Sequence, residues 1–242
     1  MIKGLFTSAS AMLPRVIEQE IIANNLANLN AAGYKHDRLL FRSLIDEEDV
    51  VSRLGQGTPG ELQEAVTDYS TGPLKPTSQN LDMALLGEGF FVIQTTDGLR
   101  YTRNGSFTIS PEGQLVTATG DLVLGEGGGI TLNNQGSIQI DGEGALFQQG
   151  DRVDKLRVVS FADTQSLRKV GASLFEVRIE GAEQAAAPST QVMQGYLEES
   201  NVNPIEEMVN MITALRIYEA NQKGLAAQDR SLERLVNETG RL

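Results

Sequence analysis

Apolar side chains recur at seven-residue spacing near both ends of this 242-residue chain, and the stretch between them reads as β-structure. Near the start, Ile2, Ala9, Val16 and Ala23 form one row, and Leu5, Met12, Gln19 and Leu26 form the next. Near the end, Met211, Tyr218, Leu225 and Leu232 form a row, with Met208, Leu215 and Val236 beside it. Spacing of this kind gives a helix one apolar stripe, and a stripe in water must be covered by something. Neither stripe is wide enough to be satisfied by a single neighbour, so the pattern describes a chain built to assemble.

The first helix should run from near Ile2 to about Asn28. Pro14 cannot donate a backbone hydrogen bond to Ser10, which predicts a kink or a restart there. Asn28, Asn30 and Gly33 tolerate left-handed backbone angles and make a helix stop. The last helix has a marked start: Asn203 as N-cap, Pro204 at the first helical position and Glu206 three residues after the cap. That arrangement satisfies orphan N–H groups and sets negative charge at the positive end of the helix dipole. The helix should continue to about Asn237.

Between the helices, short apolar runs alternate with turn residues. Phe90 to Gln94 is followed by Asp97-Gly98, then Leu99 to Thr102, Asn104-Gly105 and Ser106 to Ile109. Asn-Gly and Asp-Gly between such runs signal hairpins, because both central positions need positive φ. Further strands are predicted around 114–117, 121–124, 129–132, 137–140, 156–161 and 174–178, and the spacing suggests an antiparallel sandwich or open barrel. Residues 181–190, with Ala185-Ala186-Ala187-Pro188, read as an exposed linker. The expected fold is therefore α+β, with long N- and C-terminal helices packed as an antiparallel coiled coil and flanking a central all-β domain. The expected divisions are 1–33 for the first helix, 34–61 for an extended segment and an acidic, Gly- and Pro-rich loop, 62–190 for the β body, and 191–242 for the last segment and helix.

Composition narrows the function. Thirty-two acidic against 20 basic residues leave a net charge of −12, which argues against nucleic acid and against direct binding to anionic lipid. The absence of Cys excludes disulfides, thiolate zinc sites and cysteine nucleophiles. Residues 1–8 lack the apolar core of a secretory signal, and no window approaches the roughly 18 apolar residues of a spanning helix. By ordinary rules the chain is cytosolic, unless it leaves by a route that reads no cleavable signal.

No catalytic, cofactor or metal site is predicted. His36 is the only histidine and reads as a surface or hinge residue. Gly125 to Gly129 lacks the Gly-Lys-Ser or Gly-Lys-Thr of a phosphate loop and reads as a turn. Asp46-Glu47-Glu48-Asp49 lacks the alternating ligand spacing of a calcium loop. The pairs Asp151/Asp154 and Asp141/Glu143 are what an acidic chain produces by chance. Met208 and Met211 fit adaptable apolar contacts. Asn24, Asn25, Asn28 and Asn30 weaken a helix end, yet supply paired donors and acceptors suited to bridging the backbones of neighbouring subunits.

These residues also carry a resemblance. Ile22 to Asn30 with Gly33-Tyr34-Lys35 resembles the N-terminal motif of the flagellar rod, hook and hook-filament junction family, and Gly195 to Ile212 resembles its C-terminal motif. Leu81 to Leu85, Gly87 to Phe91 and Tyr101 to Phe107 are similar to its central segment, so the likeness covers nearly the whole chain in family order. The length and single β body are similar to the basal-body rod members. The run Leu122 to Thr131 resembles the proximal-rod type most, and the short loop from Asp46 to Gly60 departs from the distal-rod type, whereas Gly89-Phe90-Phe91 and Ser106-Phe107 are somewhat closer to the distal-rod type, which stands second. Pro14 departs from the family pattern.

The resemblance implies a structural subunit of the periplasm-spanning flagellar rod that transmits torque and has no active site or cofactor. Its implied partners are copies of itself, other rod proteins and the flagellar type III export apparatus, which would explain export without a cleavable leader. The residues expected at the assembly interface are Leu5, Met12, Asn24, Asn25, Leu26 and Asn28 on the first helix, with Met208, Met211, Leu215, Tyr218 and Leu225 on the last. The rival readings are a β-domain adhesin or glycan-binding module on a helical stalk, and a cell-wall glycan hydrolase. The first needs an aromatic platform that a chain without Trp is poorly supplied to build.

Overall fold

The computed structural model describes residues 12–42, 62–133, 137–171, 173–178, 183–187 and 189–239. Among them are two α-helices, one short 3₁₀ turn and nineteen strands. The chain divides into two compact units, one formed by the described parts of 1–27, 37–67 and 203–242, the other by 28–36 and 68–202.

The larger unit is built on Phe90–Thr95, the apolar run that the sequence marks as a strand. Side chains alternate across a strand, so an unbroken apolar run suits one buried on both faces. Phe91 points into a cluster with Met83, Leu85, Phe107, Leu115, Ile130 and Leu146. Phe90 and Val92 point the other way, into a cluster with Tyr101, Val159, Phe161, Leu167 and Phe175. A chain with only 5% aromatic residues concentrates them here. Phe90 packs edge-on against Phe161 and Phe175 at centroid distances of 5.8 and 5.6 Å, and Phe91 against Phe107 at 5.3 Å, the arrangement ring quadrupoles favour.

The main sheet is antiparallel and runs in the order Leu167–Gly171, Leu174–Val177, Gly98–Thr102, Phe90–Thr95, Leu122–Gly125, Leu115–Thr117, Phe107–Ile109, with Val158–Phe161 also paired to Phe90–Thr95. A three-stranded sheet, Ile138–Ile140 with Ala145–Gln148 and Asp151–Lys155, and two strand pairs complete the unit. In those pairs Gln191–Gln194 lies beside Met83–Leu86, and Tyr196–Glu198 beside Leu74–Pro76.

Asp97-Gly98 turns a hairpin as expected, with Thr95 opposite Gly98 at φ +112°. Gly125 to Gly128 closes another. Asn104-Gly105 does not turn one: Gly98–Thr102 and Phe107–Ile109 are not neighbours in the sheet. Its glycine serves close approach instead, since a Cβ on Gly105 would stand 1.7 Å from the Met83 carbonyl oxygen, which leaves no room for any side chain. Gly105→Ala is expected to cost about 1–3 kcal/mol through that collision, read as a lower urea midpoint at unchanged slope; a midpoint equal to that of the parent would refute the packing assigned here. The segment read as a linker also differs, because Glu183–Ala185 is a strand on Val158–Phe161. It is short and lacks apolar alternation, so nothing local announces it.

The smaller unit contains α1 (Met12–Ala27), α2 (Pro204–Thr239) and a hairpin-like pair of strands, Asp37–Arg42 with Leu62–Thr67. The expected antiparallel coiled coil of two long terminal helices is overturned. α1 spans 16 described residues, about 24 Å, against 36 residues and about 54 Å for α2. The two helices do meet, but α2 is far too long for α1 to line it. Their most buried groups are Ile22 and Asn25 on α1 and Glu207 and Ala214 on α2, a set dominated by small and polar side chains rather than interlocking aliphatics. The predicted row through Val16 and Ala23 faces solvent. Residues Ile2 to Ala11 of the predicted first helix lie outside the described residues, and Pro14 lies within α1.

Candidate assembly surface

α2 begins as its sequence prescribes. Asn203 Oδ1 accepts hydrogen bonds from the backbone N–H of Ile205 at 3.2 Å and of Glu206 at 3.5 Å, and Glu206 and Glu207 occupy the first turn. From that start two faces diverge. Glu207, Met211, Ala214, Tyr218, Asn221 and Leu225 follow a 3–4 spacing and are buried or half-buried. On the other side Ile205, Met208, Val209, Ile212 and Leu215 are 74, 52, 57, 51 and 43% exposed. Five large apolar side chains over three turns of one helix form a contiguous patch of the kind that marks a contact surface.

The covered face is organised by one amide. Asn25 is fully buried; its Nδ2 donates to the Asp37 carbonyl oxygen at 2.8 Å and to Glu207 Oε2 at 3.3 Å, while its Oδ1 accepts from the Asp37 N–H at 3.1 Å. Asp37 Oδ1 in turn accepts from Thr67 Oγ1 at 2.7 Å. One side chain thus ties α1, α2 and the strand pair together inside the smaller unit. Asn25→Ala is expected to remove these three hydrogen bonds from a buried position and cost about 1–3 kcal/mol. The amide of Asp37 should then exchange faster by native-state hydrogen exchange, and unchanged protection there would refute the bridge.

The other expected interface residues separate by face. Met208 and Leu215 lie on the exposed side of α2, whereas Met211, Tyr218 and Leu225 lie on its half-buried side. Asn24 is exposed, and Leu26 and Asn28 are half-buried. Met12 opens α1, and Leu5 lies outside the described residues. Sequence periodicity missed Glu207, whose burial is signalled by no apolar character and becomes visible only through its partner 182 residues away.

The acidic pairs considered for chemistry are taken up by turns. Asp141 Oδ1 accepts from the N–H groups of Glu143 and Ala145 at 2.9 and 2.8 Å, and Asp154 Oδ1 accepts from those of Lys155 and Gly127 at 2.7 and 3.3 Å. A cleft of about 650 Å³ in the larger unit is lined by Glu126, Glu143, Lys155, Arg157 and Glu183, and two ion pairs hold four of these charges, Arg157 with Glu183 at 2.8 Å and Lys155 with Glu126 at 3.9 Å. The Asp46 to Asp49 run lies outside the described residues. His36 is half-buried, and its backbone N–H donates to Asn201 Oδ1 at 2.7 Å.

Three family descriptions match along the chain: "Flagella basal body rod protein" over residues 5–35, "Flagellar hook protein FlgE/F/G D1 domain" over 84–152, and "Flagellar basal body rod FlgEFG protein C-terminal" over 193–238. Among individual proteins, the chain is 34% identical to the flagellar basal-body rod protein FlgG of Buchnera aphidicola subsp. Baizongia pistaciae, covering 97% of this chain and 99% of that one. It is 33% identical to FlgF of Caulobacter vibrioides, covering 92% of each, and 33% identical to FlgF of Salmonella typhimurium, covering 93 and 94%.

Proposed function

The chain belongs to the flagellar basal-body rod protein family, and from that premise we propose that it is an axial subunit of the proximal rod, joined to copies of itself and to other rod proteins through its helices. It is a structural protein and not an enzyme. Its place is the flagellar basal body, within the part of the rod that crosses the periplasm. It reaches that place through the flagellar type III apparatus, and it carries torque between motor and hook.

The observation that supports this reading is the exposed apolar face of α2, where Ile205, Met208, Val209, Ile212 and Leu215 gather on one side of a single helix, while other exposed large aliphatics among the described residues, such as Leu40, Leu86 and Val153, lie on separate strands. Covering one such side chain is worth about 1.5–3 kcal/mol, so a face of five rewards stacking against like helices. The interface extends to Leu5, Met12, Asn24, Leu26 and Asn28 at the other end of the chain. Length favours the proximal type over the distal one. The match to the Buchnera FlgG runs over 263 aligned positions against 242 residues here, so that protein carries segments this chain lacks. The match to the Caulobacter FlgF runs over 228 positions with 92% of both chains covered, and that to the Salmonella FlgF over 243, both shorter than the match to the Buchnera FlgG.

Labelling an epitope-tagged chain in isolated basal bodies tests the assignment. Label at the motor-proximal end of the rod is expected. Label at the hook-proximal end would overturn the proximal reading, and a chain absent from basal bodies would overturn the rod reading altogether.

A further inference from the structure

The larger unit contains a buried charge cluster around Glu198. Glu198 is fully buried and its carboxylate collects three donors: Lys35 Nζ at 2.5 Å, the Gly72 N–H at 2.9 Å and an Arg103 guanidinium N–H at 3.3 Å. Lys35, also fully buried, donates to the Ser70 carbonyl oxygen at 2.7 Å. Arg103 donates further to the carbonyl oxygens of Leu85 and Gly87, at 3.4 and 2.7 Å. Beside them Asn201 accepts from the His36 N–H at 2.7 Å and donates to the carbonyl oxygens of Asp68 and Ser70, at 3.0 and 3.2 Å.

The backbone closes on this cluster. Gly33 donates to the Glu198 carbonyl oxygen at 2.8 Å, and Glu199 donates to that of Pro73 at 2.9 Å. A Cβ on Gly33, at φ +67°, would stand 2.3 Å from the Asn104 nitrogen, and one on Gly72 would stand 2.2 Å from the Glu199 carbonyl oxygen. Four segments far apart in sequence therefore meet with no spare volume between them.

The cluster is a poor choice for stability alone. Two cations share one carboxylate, and among the described residues the Arg103 Nε has no hydrogen-bond partner. Burial pulls the Lys35 ammonium below the ordinary lysine range, and Glu198 opposes that pull. Well-packed apolar residues commonly serve stability as well as a buried ion pair or better, whereas ionic clusters can fix one arrangement against its alternatives. What this one fixes is visible in the topology. The chain passes between its two units at 27/28, 36/37, 67/68 and 202/203, and the segments 33–36, 68–72 and 198–202 end at three of those passages.

We propose that Glu198, with Lys35, Arg103 and Asn201, forms a clasp that gathers these three passages at one place in the β body, and that its role is to hold that arrangement rather than to stabilise the body. The clasp goes beyond the rod assignment and does not depend on it. Hydrogen exchange on the purified full-length chain tests it. The reporters are the amides of Asp68 and Glu199, which bond to carbonyl groups outside the cluster, and the controls are those of Val92 and Leu115 in the main sheet.

In Glu198→Gln the reporters are expected to exchange on the order of 100-fold faster while the controls change by less than about threefold, the reporter change corresponding to about 3 kcal/mol of local opening. In the triple variant Lys35→Met, Arg103→Met, Glu198→Met, Tm is expected to stay near that of the parent while the reporters remain fast. Reporters that stay slow in both variants, or reporters and controls that accelerate together, would overturn the clasp. Should Glu198→Gln not fold, Asn201→Ala is read at the same two amides against the same criteria.

Discussion

Replacing Leu215 by aspartate is expected to leave the chain folded and to abolish its incorporation into rods. Leu215 lies 43% exposed on the apolar side of α2, one turn from Ile212 and two from Met208. In the isolated chain the substitution exchanges a solvent-facing aliphatic for a solvent-facing carboxylate. Changes at such positions normally stay within about 0.5 kcal/mol, so helical content and Tm should be those of the parent. In an assembled interface the same carboxylate would be removed from water with no cation supplied for it. An uncompensated buried charge costs several kcal/mol, enough to remove most of the contact energy of a face this size. The variant should therefore be stable, present in the cell and missing from basal bodies. Normal rods and normal motility with Leu215→Asp would sink the interface assignment.

Phe91→Ala is expected to act in the opposite way, on folding and not on assembly. Phe91 is fully buried where Phe107, Leu85, Leu115 and Leu146 meet, and it packs edge-on against Phe107. The strand that carries it has neighbours on both sides in the sheet, so collapse around the missing ring is restricted. Truncating a buried phenylalanine costs about 3–5 kcal/mol, which in a chain of this size lowers Tm by roughly 6–20 °C. Differential scanning calorimetry would measure it, and a Tm within about 2 °C of the parent would show that the body does not rest on this cluster. The two variants separate a folding defect from an assembly defect in one protein.

The sequence was most legible where the deciding interactions are local. Asn203-Pro204 with Glu206 marked the start of α2 because capping involves only a few consecutive residues. The run at Phe90 marked a strand because a short apolar run bounded by turn residues is itself a local signal; its burial on both faces came from the structure. Asn104-Gly105 misled because glycine answers two needs, positive φ and close approach. Here the second prevails, through a contact with Met83 that no nearby residue reveals. Residues 181–190 read as linker because neither the backbone pairing of Glu183–Ala185 with Val158–Phe161 nor the Glu183 ion pair with Arg157 leaves an apolar alternation in the sequence.

The helices show the same division more sharply. Heptad spacing identified stripes, but the spacing of apolar residues cannot say which side of a helix is already covered. The side that α2 buries is set by Glu207 and Ala214, one polar and one small, and is joined to α1 through Asn25. Apolar periodicity passes over all three. The coiled coil it suggested gave way to a contact organised by an amide and a carboxylate, and that left Met208, Val209, Ile212 and Leu215 facing outward. The charge cluster at Glu198 was illegible for the same reason, since Lys35 lies 163 residues from its partner.

The central claim is that the outward face of α2 is completed by neighbouring subunits. The chain contains no Cys, so a single cysteine introduced as Ile212→Cys is a unique reporter. Maleimide labelling of that position, compared between the purified chain and isolated basal bodies, measures the coverage directly. Rapid labelling of the purified chain and strong protection in basal bodies is the predicted result. Equal labelling in both would contradict the account.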